Sequence, residues 1–387
     1  MADPTVPDSK TPVHLIPGDA DRPPQPGIAL CLSGGGYRAM LFHSGALWRL
    51  NELGYLSKLD RVSSVSGGSI TAGVLALNWN RLAFDAQGVA TELTTEVIAP
   101  ICAMANVDID IPDILKGLFL PGTVADKVVA SYKEHLFGQA TLQDLPDKPR
   151  FVINATNVQS GALWRFSKPY NADWRVGVVP NPNTLLAVAV GASSAFPPVL
   201  SPARLKLDPN SFTPGSGAEL QREPYTSDVF LTDGGVYDNL GLETAWKVYS
   251  TILVSDGGGH LAPEESPDTD WAHHALRVND LIDNQVRSLR QRQLIDSFTS
   301  GERTGTYWAT RSDMAHYPAA GTLPCPFAAT QKLAAVPTRL TSLDDTTQKR
   351  LINWGYAICD AAMRGHVVPG GAAPASFPYP AAGVGDA

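Results

Sequence analysis

The stretch that decides the fold is Ser33-Gly34-Gly35-Gly36-Tyr37-Arg38, which follows an apolar run at residues 28–32. Glycine allows a sharp turn, and without a Cβ its backbone N–H group can closely approach a ligand. The N–H groups of a first helical turn also point toward an anion. Apolar residues then recur at helical spacing. The segment therefore predicts a strand, a tight turn and a helix from near Tyr37 to Leu53, with Gly54 as its stop.

A second turn, Ser64-Val65-Ser66-Gly67-Gly68, resembles the nucleophile elbow G-x-S-x-G except that Ser64 replaces the first glycine. In such an elbow a strained strand-to-helix turn presents the serine hydroxyl. Residues 70–77 predict a buried helix after it. Other serines have similar surroundings, namely Ser63, Ser64, Ser69, Ser193 and Ser194. Compared with these, Ser66 alone has glycine at both following positions and an apolar residue before it, so we predict Ser66 as the nucleophile.

The two turns together could supply both requirements of ester hydrolysis by serine. One is an exposed hydroxyl, and the other is a set of fixed donors for the developing oxyanion, each worth about 3 kcal/mol of barrier. We predict that Gly34, Gly35 and Gly36 hold the oxyanion. A phosphate-binding loop is disfavoured, because the chain has no G-x-x-x-x-G-K-[ST] motif.

Two carboxylates are candidates for the base that takes the serine proton. Asp233 follows an apolar run and opens Asp233-Gly234-Gly235, and Asp256 similarly opens Asp256-Gly257-Gly258-Gly259-His260. Open α/β sheets place their sites at such strand ends. Asp233 could act directly on Ser66, or Ser66, Asp256 and His260 could form a triad in the chain order of α/β-hydrolases. The residues alone leave both schemes open.

The chain resembles the patatin-like phospholipases over residues 28–245. That family combines a G-G-G-x-[RK] loop, a G-x-S-x-G serine and a D-G-[GA] aspartate in this order. Weaker similarities are His43-Ser44-Gly45-Ala46-Leu47, Asn154-Ala155-Thr156-Asn157 and Ala192-Ser193-Ser194-Ala195-Phe196-Pro197. The resemblance implies a serine lipid acyl hydrolase that works through a Ser–Asp dyad and an acyl-enzyme, without histidine, metal or cofactor.

Carried over residue by residue, the resemblance makes Ser66 the nucleophile and Asp233 the base. The supporting residues it implies are Arg38, Gly67, Gly68, Gly234 and Gly235. A carboxylate that accepts the serine proton and later returns it should have its pKa raised by burial. The chain departs from the family pattern at Ser33, Ala39 and Ser64, and none of these departures removes a reacting group.

Composition narrows the range of partners. The formal charge is −8 without a dense basic cluster, so we expect no nucleic-acid partner and no bulk attraction to anionic lipid. Contact with a membrane or micelle surface would have to be apolar or involve zwitterionic substrate. The four cysteines are scattered, which argues against a zinc site or a disulfide scaffold. We expect no signal peptide and no membrane-spanning stretch, and therefore a cytoplasmic protein, with export without a signal peptide as the open alternative.

The alternation of strands and helices predicts an α/β fold, with three α/β/α layers and a mostly parallel central sheet. We expect one acyl hydrolase domain at 27–366, with a motif core at 28–245 and a helical extension at 246–366. Polar or Gly/Ala/Pro-rich tails are expected at 1–26 and 367–387. A helical insertion is predicted at 89–136, and its apolar run at 114–122 is either a lid or a buried helix end.

Two further helices are predicted near the end of the chain. Residues 271–298 form a long amphipathic helix with a locally basic face, and such a helix usually packs on the sheet. Residues 344–364 form the helix that closes the fold. Beside hydrolysis, two other functions stay open, which are acyl transfer to an alcohol and a non-catalytic lipid-binding or scaffold role.

Overall fold

The computed structural model describes residues 24–109, 124–259 and 261–386. Its strands are β1 (Gln25–Leu32), β2 (Arg61–Ser64), β3 (Arg150–Asn157), β4 (Ala162–Ser167), β5 (Tyr170–Asp173), β6 (Gly177–Pro180), β7 (Ala203–Lys206), β8 (Asp228–Asp233), β9 (Tyr249–Asp256) and β10 (Thr304–Ala309). They form one sheet in the order β10-β9-β1-β2-β3-β4-β5-β6, and β8 pairs with both β3 and β7.

The helices are α1 (Gly36–Glu52), α2 (Gly67–Asn78), α3 (Ala99–Met104), α4 (Val124–Tyr132), α5 (Leu186–Ser193), α6 (Gly235–Asp238), α7 (Glu243–Trp246), α8 (Trp271–Thr299), α9 (Phe327–Ala334) and α10 (Asp345–His366). Among the described residues, none of these helices combines the length and apolar character needed to cross a lipid bilayer.

The sheet is mixed. Strands β10, β9, β1, β2 and β3 pair in parallel, whereas β3 to β6 and β7 to β8 pair antiparallel. The α/β class is confirmed, but the sheet is less parallel than predicted. Short connections explain the difference, since a parallel pair needs a crossover of a dozen or more residues and β3 to β6 follow one another too closely for that.

Helices cover both faces of the sheet, as the three-layer prediction requires. Side chains alternate along β1, so Leu30 and Leu32 belong to the larger core with α1, α2, α5 and α10. Ala29 and Cys31 point to the other face, where they join a smaller core with α7 and the end of α8.

Most predicted elements are present with small shifts. The first helix ends at Glu52 and is followed by Gly54 in the left-handed region, with φ 64°. Residues 25 and 26, predicted as tail, instead begin β1, because Gln25 already donates its N–H to the Val248 carbonyl. Residues 1–23 of that tail, the run at 114–122 and His260 lie outside the described residues.

The prediction for α8 is right about the helix, but its packing on the sheet is limited to its C-terminal end. Leu294 is buried near the end of the helix, but Leu281 and Leu289 are 44% and 57% exposed. The side of α8 that faces the protein at residues 280–287 carries polar and charged groups, so its leucines are left toward water.

Helices α10 and α1 pack so closely that their backbones are in contact. A Cβ placed on Gly45 would lie 1.9 Å from the Ile352 carbonyl oxygen, and one placed on Gly355 would lie 1.9 Å from the Phe42 carbonyl oxygen. Real Cβ atoms do not approach backbone oxygens so closely, so both positions need glycine for α1 and α10 to pack as they do. The last helix is therefore an integral part of the larger core.

We expect Gly45→Ala to destabilise the protein by about 1–3 kcal/mol, since the added methyl group must push two packed helices apart. In an open helix the same change would stabilise by up to about 1 kcal/mol. Chemical unfolding measures the difference. Gly365→Ala in α10 is the control, because its nearest neighbour is the Pro318 ring at 3.1 Å. Equal stability of Gly45→Ala and wild type would contradict the backbone contact.

Candidate active site

Two strand ends meet beside β3. Parallel pairing sets Ser64, the last residue of β2, opposite Ile153, and antiparallel pairing sets Asp233, the last residue of β8, opposite Ala155. The two ends are thus two residues of β3 apart, which is about 7 Å. Because β2 and β8 run toward each other, the turns that follow them converge. Ser66 and Asp233 accordingly line the same pocket.

Ser66 has strained backbone dihedral angles, with φ 51° and ψ −121°. Among the described residues, it shares a positive φ with one other non-glycine residue, Asn181. Such strain persists where surrounding contacts enforce it. Here the Ser66 N–H donates to Ser193 Oγ at 3.0 Å, and the Ser193 hydroxyl donates to the Asn154 carbonyl at 2.6 Å. Ser193, which the sequence offers as a rival nucleophile, instead anchors the elbow.

The residues around Ser66 pack tightly against the glycine loop. Gly67 and Gly68 open α2, and added Cβ atoms there would lie 2.2 Å from the Gly36 carbonyl oxygen and 2.4 Å from the Leu32 carbonyl oxygen. Ser64, which replaces the elbow's first glycine, is fully buried and accepts a hydrogen bond from Ser69 Oγ at 3.0 Å. The departure from the motif is therefore accommodated by side-chain hydrogen bonding.

The three glycines of the loop have different roles in hydrogen bonding. The N–H of Gly34 donates to the Asn239 carbonyl at 3.1 Å. Gly35 and Gly36 have φ values of 142° and 59°, which favour glycine, and both line the pocket. Within the described part of the chain, no acceptor is found for the N–H groups of these two residues. Gly35 and Gly36 are therefore the two glycines with N–H groups available to an oxyanion.

Asp233 is buried at the end of β8 and faces Ser66. Its Oδ1 accepts the Gly235 N–H at 2.7 Å, and its Oδ2 has no hydrogen-bond partner among the described residues. Burial raises the pKa of Asp233 to about 7, although the Gly235 N–H and the nearby Ser66 hydroxyl both act to lower it. A carboxylate with this pKa can exchange a proton near neutral pH. Gly234 supports the turn through its N–H, which donates to the Ser193 carbonyl at 3.3 Å.

Asp256, the rival acid, lies behind the glycine loop. Its Oδ1 accepts from the Gly258 N–H at 2.8 Å and the Ser33 hydroxyl at 3.2 Å, and its Oδ2 accepts from the Tyr307 hydroxyl at 2.7 Å. Although burial alone would raise the pKa of Asp256, Arg287 and Arg311 together with these donors hold it well below its usual range. Asp256 thus stays ionised and ties the start of the loop to β9 and β10.

His43 supports the same loop from α1. Its Nε2 donates to the Ser33 carbonyl at 2.9 Å, and its Nδ1 lies 2.8 Å from the Ser255 hydroxyl. Complete burial lowers the pKa of His43 to about 4, so the ring is neutral at pH 7. Neutral His43 therefore acts as a hydrogen-bond donor that positions the carbonyl of Ser33, the first residue of the loop.

Arg38 holds the loop to later parts of the chain. Its Nε donates to the Gly257 carbonyl at 3.1 Å, one terminal nitrogen donates to the Val336 carbonyl, and the other donates to Thr338 Oγ1 at 2.8 Å. Burial lowers the pKa of Arg38 to about 10, which leaves the group charged at pH 7. Arg38 therefore supports the loop by binding backbone carbonyls.

The pocket has a volume of about 690 Å³ and two chemically different walls. One wall is apolar and consists of residues 196–200 with Leu340. The other is the polar side of α8 at residues 280–287. Ser66 and Asp233 line the same pocket as Gly35 and Gly36. A substrate with an apolar chain on one side and a polar group on the other would fit this division.

Within the described residues, one group of side chains has the spacing for a metal ion, namely the exposed residues Asp268, Asp270 and His273. These three residues do not line the pocket. Asp270 also has a structural role, because its carboxylate caps α8 by accepting the N–H groups of Ala272 and His273. We assign no metal to this group.

Three residues around the site have roles that the sequence did not indicate: His43, Ser193 and Asn239. His43 and Ser193 lie in segments that resemble the family, so the sequence draws attention to these positions but does not indicate their contacts. Asn239 gave no signal, although its carbonyl binds the Gly34 N–H and its side chain lies against Gly34 and Gly235.

Comparison with known proteins gives one family and a shared fold. A family model described as Patatin-like phospholipase matches residues 30–246, more than half of the chain. Human GIVD cytosolic phospholipase A2 is similar at a TM-score of 0.51 and 14% identity, over 88% of this chain and 62% of that one. VipD from Legionella pneumophila has a TM-score of 0.36 and 17% identity, over 87% and 66%. The chain spans less than two thirds of either structure, and no curated protein matches it.

Proposed function

The chain belongs to the patatin-like phospholipase family, and from this premise we propose that it hydrolyses carboxylic esters of lipids. We propose that Ser66 is the nucleophile, that Asp233 is the base, and that the reaction passes through an acyl-enzyme. The observation that carries the proposal is the meeting of a strained, pocket-facing serine with a buried carboxylate whose pKa is raised to about 7. Gly35 and Gly36, beside them, have N–H groups available to an oxyanion.

In the first half of the reaction, Asp233 takes the hydroxyl proton while Ser66 Oγ bonds to the ester carbonyl carbon. The N–H groups of Gly35 and Gly36 stabilise the negative oxygen, and Gly34 shapes the turn. Asp233 then gives the proton to the departing alcohol, and the acyl group stays on Ser66. In the second half, water attacks the acyl carbon, Asp233 takes a water proton and returns it to Ser66, and the carboxylic acid leaves.

The geometry favours this dyad over the Ser66–Asp256–His260 triad. Both oxygens of Asp256 already accept hydrogen bonds from residues that hold the loop, whereas Oδ2 of Asp233 has no partner among the described residues and Asp233 lines the pocket with Ser66. A non-catalytic scaffold is the weaker alternative, because it would have no use for strain at Ser66 or a high pKa at Asp233. Acyl transfer remains a second outcome of the same acyl-enzyme, with an alcohol replacing water in the second half.

The proposed partners follow from the substrate. We propose a lipid ester presented by a membrane or micelle surface, because lipids with long acyl chains aggregate in water. Several apolar side chains of α8, such as Trp271 and Ile282, are exposed and compatible with such contact. The net charge of −8 disfavours nucleic acid, and the cytoplasmic location expected from the sequence is part of the same proposal.

Vesicles of phosphatidylcholine test the proposed function. We expect the wild type to release free fatty acid from them, measured by mass spectrometry, and to cleave p-nitrophenyl butyrate as well. Adding a short alcohol distinguishes transfer, which would yield the alkyl ester, from hydrolysis. Cleavage of p-nitrophenyl butyrate without any fatty acid from phospholipid would restrict the function to small esters. Cleavage of neither would contradict the proposal.

A further inference from the structure

Helix α8 has an unusual orientation. The pocket is lined by Asp280, Asp283, Asn284 and Arg287, at spacings of three and four residues that place them on one face of the helix. Trp271, Val278, Ile282 and Leu289 follow the opposite face and are exposed, Trp271 by 86%. A surface helix normally turns its apolar face to the core. Here the polar face is turned into the pocket, which indicates that this face meets a polar part of a ligand.

The two carboxylates on this face interact with arginines of the same helix only at longer range: Arg277 acts electrostatically on Asp280, and Arg287 acts on Asp283. Asp283 is half-buried and Asp280 is exposed at the rim. Within the described parts of the chain, neither side chain forms an ion pair. Arg287, one turn further along, is buried and donates to the Gly259 carbonyl. Burial raises the pKa of Asp283; Arg287 counters this, whereas Asp280 adds to it through repulsion between like charges.

A second observation, at Asp233, points to a ligand in the same pocket. Oδ2 of Asp233 is unpartnered although the residue is 2% exposed, and Asp233 lines the pocket with Asp280 and Asp283. Asp283 is also close enough to act electrostatically on Asp233. The reacting ester and the acidic wall are therefore near neighbours. An acyl chain against the apolar wall leaves the alcohol side of the ester facing α8.

We propose that Asp280 and Asp283 bind an ammonium group on the alcohol side of the ester, and so select choline- or ethanolamine-bearing lipids over anionic ones. The inference rests on the proposed function. Two carboxylates one turn apart in a partly dry wall repel each other until a cation lies between them, because Coulomb energies grow as water is excluded. A lipid with an anionic headgroup would meet repulsion at the same place.

Short-chain lipids dissolved as monomers test the selection without a charged surface. We compare kcat/KM for dihexanoyl phosphatidylcholine, phosphatidylethanolamine and phosphatidylglycerol, and expect the wild type to prefer the first two. In the double variant Asp280→Asn, Asp283→Asn, the ratio of kcat/KM for phosphatidylcholine to kcat/KM for phosphatidylglycerol should fall about tenfold. A loss of this size corresponds to the energy of one hydrogen bond to a charged group. Asp296→Asn is the matched control, because it removes an exposed carboxylate of α8 outside the pocket, and its preference should stay at the wild-type value.

A second measurement needs no variant. Choline chloride and ethanolamine hydrochloride should raise the melting temperature of the wild type more than sodium chloride at equal ionic strength. Equal shifts of the melting temperature in all three salts would overturn the inference. An unchanged lipid preference in the double variant would overturn it as well. Cleavage of all three lipids at equal rates would also overturn it while leaving the proposed function intact. Cleavage of none would contradict the proposed function, and the melting data would still decide on the cation site.

Discussion

Replacing Ser66 with alanine should lower kcat/KM for any ester by at least about 10⁴-fold, as loss of a nucleophile does in serine hydrolases. The change removes the attacking oxygen and leaves the pocket, the loop and Asp233 in place. Stability should hold or rise slightly, since Ser66 is kept at φ 51° by contacts of its backbone, including the N–H bond to Ser193. A neighbouring side chain should not substitute for it.

A fluorophosphonate probe measures this directly, because it bonds covalently to an activated serine. Wild type should be labelled and Ser66→Ala should not. Ser194→Ala is the matched control: Ser194 lines the same pocket, but its hydroxyl donates to the Val190 carbonyl at 2.9 Å. That variant should keep its labelling. Labelling that survives in Ser66→Ala and disappears in Ser194→Ala would show that the nucleophile is assigned to the wrong residue.

The second large effect is expected for Asp233→Asn, which should lower kcat/KM about 10³-fold, in the range that general bases contribute. Asparagine keeps an oxygen for the Gly235 N–H and removes a carboxyl group that burial disfavours in its charged form. The variant should therefore fold normally, as its melting curve would show. His260→Ala is the discriminating control. If His260→Ala were the inactive variant and Asp233→Asn the active one, the triad would replace the dyad.

The pH dependence of the wild type should report the same group. Asp233 acts as a base when it is ionised, so kcat/KM should fall as the pH drops through about 7. The contribution of Asp233 to the free energy of unfolding changes with pH in the opposite sense. Because folding raises the pKa of Asp233 from 3.8 to about 7, its contribution is most favourable at low pH and is lost as the pH rises through that interval. Asp233→Asn should lack this loss. An acidic limb near pH 4 would instead suggest a group such as His43.

The turns that carry Ser66 and Asp233 could be predicted from the sequence because turn chemistry is local. A serine between small residues and glycines in succession have few conformations available, and the order of the motifs adds strong information. The support around them could not be predicted in the same way. Asp256 reaches the loop through Ser33, and His43 reaches it through the Ser33 carbonyl. These contacts join residues far apart in sequence, and their pattern has no local signature.

The orientation of α8 could not be predicted for a different reason. Hydrophobic periodicity predicts a helix and an apolar face, but it assumes that the apolar face is the buried one. Leu281 and Leu289 follow the pattern and remain exposed, because the face opposite them lines a pocket. Similarly, alternation of strands and helices predicted a mostly parallel sheet, whereas the short links after β3 produce antiparallel pairs.

The end-to-end meeting of β2 and β8 has a consequence for the timing of activity during synthesis. Ser66 emerges from the ribosome early, whereas its proposed acid partner and the tyrosine that steadies the loop, Tyr307, come much later. Under the proposed function, an unfinished polypeptide carries no hydrolytic capacity.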